Sequence, residues 1–304
     1  MLKEIKNEME TKTINLNDLI VKYSNSELRN DDFTKMWTKV VMLPLSRIEY
    51  IISESAHTKN GYDIDQALYY GILNRIGKVL SFERRLVCCD MLDMEFAQII
   101  SRILLEDNIV LEYFLRHPEK LDEYRKSAFK AEKEYEDFII KNREERVEND
   151  KVMFEWEEGL LKSIHKAYAS AGLTSETTHA SRLPSPPKVK TMAEEVGLGD
   201  FYSVYKMQCH AAHGDWYGIY EQYLREENGK YFPSFTKKKP DIRIMNPMLR
   251  FVYKTLLEFI DYNKGHCLKP ELKDELNDDD RLIQNLDTMH FNFLKNQPLT
   301  KGVH

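Results

Sequence analysis

Residues Ala67–His117 read ALYYGILNRIGKVLSFERRLVCCDMLDMEFAQIISRILLEDNIVLEYFLRH. Apolar side chains recur there at helical spacing, and they are too many to line a single exposed face. A stretch of this kind forms the core helices of a bundle. The composition agrees: 42% of the 304 residues are hydrophobic, 31% are charged, and 12 glycines and 10 prolines are few for a β-sandwich or a disordered chain. The expected fold is all-α, a multi-helix bundle with one long charged helix or helix pair and a small irregular or hairpin insertion near residues 229–245. Residues 1–60 are expected to form an N-terminal helical segment packing on the bundle, and 61–304 the main helical domain.

Punctuation along the chain refines this. DDFTKMWTKVVMLPLSRIEYIIS opens on an Asp-Asp start signal and meets Pro44, where a break or kink is expected. After Pro118 the chain becomes dense in mixed charge and has no further proline up to Leu173. Leu121, Tyr124, Ala128, Ala131, Tyr135 and Phe138 form one apolar stripe; it fades through Asn142–Asp150 and restarts with Phe154, Leu161, Ile164 and Tyr168, so a bend is expected at the gap. The charge is read as a solvated face or as a coiled-coil surface. A polar, proline-rich loop occupies about 173–191. Near the end, Asn246 is the expected cap of a helix with Pro247 in its first turn and Gly265 beyond its last, and DDDRLIQNLDTMHFNFLKN gives a final amphipathic helix.

Charge and cysteine usage bound the function. A net charge of -6 and a pI near 5.9 argue against broad wrapping of duplex nucleic acid and leave room only for a local basic cleft. MLKEIKNEMETKTIN lacks the apolar run of a secretory signal, and no stretch has the eighteen or so apolar residues of a membrane span, so a cytoplasmic protein without a membrane partner is expected. Four cysteines, two of them adjacent, match neither a disulfide framework nor a CxxC metal pair; Cys88 and Cys89 are read as core thiols.

Chemistry concentrates in DFYSVYKMQCHAAHGDWYG, Asp200–Gly218. Asp200 suits an N-cap and Gly214 a helix stop. At about 100° per residue Tyr202, Lys206, His210 and His213 share a face, with Cys209 at its edge. Carbonyl partial charge in the last turn favours protonated imidazoles there, which suits a general acid or a phosphate contact; satisfied boundary residues are the plainer reading. His210, His213, Cys209 and Asp215 lack the i, i+4 arrangement of a helix-borne zinc pair, so no metal is expected, and no nucleotide-binding, hydrolase, zinc-protease or calcium motif is present, so no cofactor is expected either. A second polar stripe, Glu95, Gln98, Arg102 and Glu106, runs along an otherwise apolar helix. Either it faces solvent as ordinary i, i+4 chemistry, or it turns inward and needs partners, for which the stripe ending in His213 is the natural candidate. PPKVK and TKKKPDIR are read as solvated loops or, together, as an anion-binding rim.

FAQIISRILLEDNIVLEYFL and MAEEVGLGDFYSVYKMQCHAAHGDW resemble two segments of a bacterial family, the domain-of-unknown-function family numbered 5677, over roughly Asp63–Leu224. The first carries that family's arginine and, four residues on, glutamate, as Arg102 and Glu106; the second carries its histidine and glycine as His213 and Gly214. Lys206 stands where the family has arginine and Cys209 where it has serine. The family implies no established activity. Its arginine-to-histidine spacing is similar to the signature of HEPN ribonucleases, which are all-α, commonly dimeric and act in bacterial defence and toxin systems. That likeness implies metal-independent RNA cleavage, with His213 as proton carrier, Lys206 or Arg102 as the cation beside the phosphate, Glu106 holding Arg102, and His210 as substitute carrier. Tyr202, Tyr205 and Tyr217 would stack the bases of single-stranded RNA, with a small anionic ligand as the simpler occupant of the same face, and a homodimer would bring two such helices together. The competing reading is a non-catalytic binding or regulatory module in which the same polar residues form a buried packing network or line a ligand pocket.

Overall fold

The computed structural model describes residues 28–54, 61–149, 154–263 and 268–296. It is an all-α, multi-helix fold with a single two-stranded hairpin among the described residues. No helix among them is long and apolar enough to cross a membrane. The described residues divide into two compact units: one made of those up to Tyr62, Tyr70–Asn108 and those from Val204 onward, the other of Asp63–Tyr69 and Ile109–Ser203.

The first unit starts with α1 (Asn30–Val40) and α2 (Met42–Ser53). The expected break falls at Val41 rather than at Pro44 itself. Proline lacks an N–H and its ring crowds the carbonyl four residues back, that of Val40, so the helix stops there and a new one admits Pro44 in its first turn. Long helices α3 (Ile64–Cys88) and α4 (Met94–Arg116) follow, with Arg75 Nε 3.1 Å from Asp107 across the pair. Cys88 and Cys89 are exposed, a correction to their reading as core thiols: α3 buries Leu73, Ile76, Leu80 and Glu83 and then ends, so the cysteines lie at the turn. The C-terminal pair, α11 (Ile242–Tyr262) and α12 (Leu272–Lys295), is antiparallel, with Asn246 Nδ2 donating to Asp287 (2.5 Å) near one end and Lys273 reaching Asp261 (2.9 Å) near the other. Here Asp241 is the cap, accepting from Arg243 N (2.9 Å), and Asn246 is buried one turn inside; the helix starts early because Pro247 removes only one backbone bond and the apolar face already begins at Ile242. Gly265 lies outside the described residues. Arg47 joins α2 to α12 through Asp279 (2.8 Å) and Glu275, and Asn30 meets His290 Nε2 (3.0 Å).

The second unit contains α5 (Leu121–Ser127), α6 (Lys130–Glu148), α7 (Glu155–Ala169) and α8 (Val189–Glu195), so the charged stretch is broken both near Ala128 and at the expected bend after Glu148. The buried side of α6 is Lys133, Glu136 and Ile139, whereas Tyr135 and Phe138 are exposed. The apolar stripe was therefore assigned to the wrong side of this helix, because the inward positions carry a polar hub. Glu136, fully buried, accepts from Lys133 Nζ (2.8 Å), Tyr168 OH (3.1 Å) and Ser175 Oγ, and pairs with His165 Nε2 (2.6 Å). Burial pushes its carboxyl up, but donation from Lys133, Ser175, His165 and Tyr168 outweighs burial and holds it at about 2.

Two carboxyls give opposite pH signatures. Glu83 on α3 is wholly buried with neither oxygen hydrogen-bonded among the described residues, and burial alone pushes it up to about 8. A raised folded-state value stabilises the fold below the ordinary glutamate range and loses that contribution as pH rises to the folded value. Thermal unfolding followed between pH 5 and 8 should show wild type losing up to about 1.4 kcal/mol per pH unit relative to Glu83→Gln; parallel profiles would refute a buried neutral carboxyl. Glu136 has the depressed value, so its contribution is present above the ordinary range and is lost as pH falls toward 2. Glu136→Ala, which takes the shared acceptor from Tyr168, Ser175 and Lys133 and leaves Lys133 to Asp137 (3.1 Å), should cost about 1–3 kcal/mol in urea unfolding at pH 7.

Candidate functional site

The site lies in the first unit, on α9 (Tyr202–His213) from Val204 onward, α10 (Trp216–Tyr223) and the half-buried stripe of α4. Asp200 does not cap α9; it sits in the 3-10 turn Gly199–Phe201 that precedes it. Gly214 adopts a φ of 57°, the left-handed conformation that ends a helix, and Asp215 at once caps the next, its Oδ1 accepting from Gly218 N at 3.0 Å. The corner is tight. A Cβ on Gly218 would stand 2.6 Å from the His210 carbonyl oxygen, so only glycine lets α10 lie on α9.

This corner places the Asp215 carboxylate on His210 Nδ1, with the Tyr217 ring 5.0 Å from the imidazole. Asp215 is held below the usual carboxylate range, by Gly218 N–H first and His210 second. A carboxylate on Nδ1 fixes the imidazole and leaves Nε2 for other work. His210 is 42% exposed. His213 and Lys206 are exposed, and neither has a hydrogen-bond or ion-pair partner among the described residues.

The stripe on α4 turns toward other helices, but its partners are tyrosines. Arg102 donates to Tyr205 OH (3.1 Å), Tyr205 OH donates to Glu106 (3.0 Å), and the guanidinium lies 5.0 Å over the Tyr205 ring. Burial opposes the charge of Arg102, and the Tyr205 bond, aided by the neighbouring Glu106, raises its pKa in spite of it. About two turns toward the start of α4, Glu95 accepts from Tyr223 OH, and this bond pushes the phenol up to about 12. Arg102 Nε is buried with no hydrogen-bond partner among the described residues.

Arg102, Glu106, Tyr205 and Cys209 are thus brought together, Cys209 through its Sγ on the Tyr205 carbonyl (3.3 Å). His210 and Tyr217 form a second group around Asp215. Tyr205 is 8% exposed and its ring is covered by Arg102, while Tyr217 is 53% exposed; Tyr202 belongs to the other unit. The lysines of TKKKPDIR are engaged: Lys237 on the Asp90 carbonyl, Lys238 on Glu221 and Lys239 on Asp31 (2.8 Å). Sequence reasoning missed Asp215 and Tyr223 as partners. The Asp-x-x-Gly cap signal after the Gly214 stop was available for Asp215; nothing local marks Tyr223. Among the described residues no group of three or more His, Cys, Asp or Glu could hold a metal ion.

Residues 84–231 match the family model described as Family of unknown function (DUF5677). This segment, just under half of the chain, is similar to DUF5677. It takes in the Arg102–Tyr205–Glu106 network and the His210–Asp215 pair and ends at Tyr231, inside the hairpin. No curated protein and no solved structure matches the chain significantly.

The α9–α10 corner of the DUF5677 segment should be sensitive to a single methyl group. Gly218→Ala is expected to lose about 1–3 kcal/mol in urea unfolding, through the clash with the His210 carbonyl. Gly159→Ala, where added volume meets nothing and the helix gains, is the control that should not.

Proposed function

We propose that the DUF5677 segment acts on single-stranded RNA as a metal-independent endoribonuclease, with His210 as proton carrier. The observation that supports this is the Asp215 carboxylate on His210 Nδ1, which orients a partly exposed imidazole and leaves its Nε2 clear of the carboxylate. Nε2 takes the proton of a ribose 2′-hydroxyl as its oxygen attacks the adjacent phosphorus, and the imidazolium returns a proton to the leaving 5′-oxygen; the products are a 2′,3′-cyclic phosphate and a 5′-hydroxyl. Lys206, exposed and unpaired on the same helix, supplies positive charge for the phosphate oxygens, as a point charge without the fork of an arginine. Tyr217, exposed and packed on the imidazole, supplies a ring face for a base. Arg102 and Glu106 act through Tyr205 to hold α9 in position, and His213 stands outside the chemistry.

The second reading, a bacterial cytoplasmic binding or regulatory module without chemistry, draws support from the closure of the Arg102–Tyr205–Glu106 network, which is the arrangement of a packing contact. Cleavage of a mixed RNA pool in EDTA by wild type, His210→Ala, Asp215→Asn and His213→Ala, matched by circular dichroism, separates the two. The expected result is loss of about 10²–10⁴-fold in His210→Ala, a smaller loss in Asp215→Asn and near wild-type rate in His213→Ala. Equal cleavage by wild type and His210→Ala would overturn the assignment of His210. Absence of cleavage in every protein would favour the binding module.

A further inference from the structure

The hairpin β1 (Leu224–Glu227) and β2 (Lys230–Pro233) turns on Asn228 and Gly229, both at positive φ, as a two-residue hairpin turn requires. It carries Tyr231 back to α10, where three rings meet. Trp216 and Tyr231 have centroids 5.8 Å apart with planes at 86°, Tyr220 and Tyr231 are 6.0 Å apart at 79°, and Trp216 and Tyr220 are 6.2 Å apart at 30°. Trp216 is 62% exposed and Tyr231 50%, so rings held by one another still show much of their surface to solvent. The strand register puts Glu226 directly opposite Tyr231, hence on the same side of the hairpin. Arg225 lies on the other side over Phe232 and reaches Glu227, leaving Glu226 without a partner among the described residues.

Near-perpendicular π systems beside an unpaired carboxylate attract a cation and offer an anion nothing. We propose that Trp216, Tyr220 and Tyr231, with Glu226 as counter-ion, bind a small alkylated ammonium group. Its soft, weakly hydrated charge enters the corner between the rings, within the roughly 6 Å of a centroid over which the ring quadrupole attracts a cation. A strongly hydrated primary ammonium or sodium ion would be retained by water. The site stands apart from the His210–Asp215 pair and does not depend on RNA as a substrate.

The test uses the full chain and tetramethylammonium as the probe, read by saturation transfer to its methyl protons and by calorimetry. The neutral isostere 3,3-dimethylbutan-1-ol and matched sodium chloride are the comparisons. Saturable binding of tetramethylammonium, with the isostere at least about fivefold weaker, is expected. Trp216→Ala and Tyr231→Ala should abolish it, Tyr231→Phe should keep it because the ring face remains, and Glu226→Gln should weaken it about two- to fivefold. Equal binding of the isostere would show a plain apolar patch and overturn the proposal, as would absence of binding or indifference to Trp216→Ala. The same probe presented as choline and as a trimethyllysine peptide distinguishes a free ligand from a modified side chain.

Discussion

Everything in the candidate site hangs on the approach of Gly218 to the carbonyl of His210. Because no side chain intervenes, α10 can leave α9 within two residues of its end and lie against it. Asp215 then does two things with one carboxylate: one oxygen starts α10 by accepting from Gly218, and the other meets the His210 ring. Tyr217 follows onto the imidazole, Tyr223 arrives at the far end of α10 to meet Glu95, and the hairpin begins immediately after it. A backbone contact thereby orders side chains on α4, α9, α10 and β2.

The two compact units treat buried carboxyls in opposite ways. Glu136 is surrounded by donors from α6, α7 and the following loop, so its charge is the organising element and its removal leaves those donors without their shared acceptor. Glu83 has no donor among the described residues, and burial pushes its carboxyl up to about 8, toward the neutral acid. The same residue type thus acts as a tie in one unit and as a hydrogen-bearing spacer in the other. Local environment, not identity, decides which.

Much of the fold was legible because it rests on local signals. The apolar run Ala67–His117 gave α3 and α4 directly, and Pro44, Pro118 and Gly214 marked helix limits close to where they fall. The stripe on α6 misled because periodicity counts apolar residues and assumes that they face inward; there the inward positions are Lys133 and Glu136, whose partners lie tens of residues away. The capping of α11 failed for a related reason: Asn246 and Pro247 look like a start, yet Asp241 five residues earlier supplies a better one and the apolar face extends back to it. At the candidate site the polar stripe of α4 was legible and its partner was not. Helical spacing pointed to Lys206, His210 and His213, while Tyr205, one position off that arc, is the residue that turns inward.

The first unit is assembled from segments on both sides of the second, and this bears on the order in which the chain is made. Asn30 meets His290 across 260 positions and Arg47 meets Asp279 across 232, whereas the ties of the Glu136 hub span 3 to 39. During synthesis α6, α7 and their loop emerge together and can close at once, while apolar faces of α1 and α2 wait for α12, as Phe33 waits for His290 and Phe293. Those apolar faces are the surface that a nascent chain offers to chaperones, and a protein cut short before α12 would keep offering it.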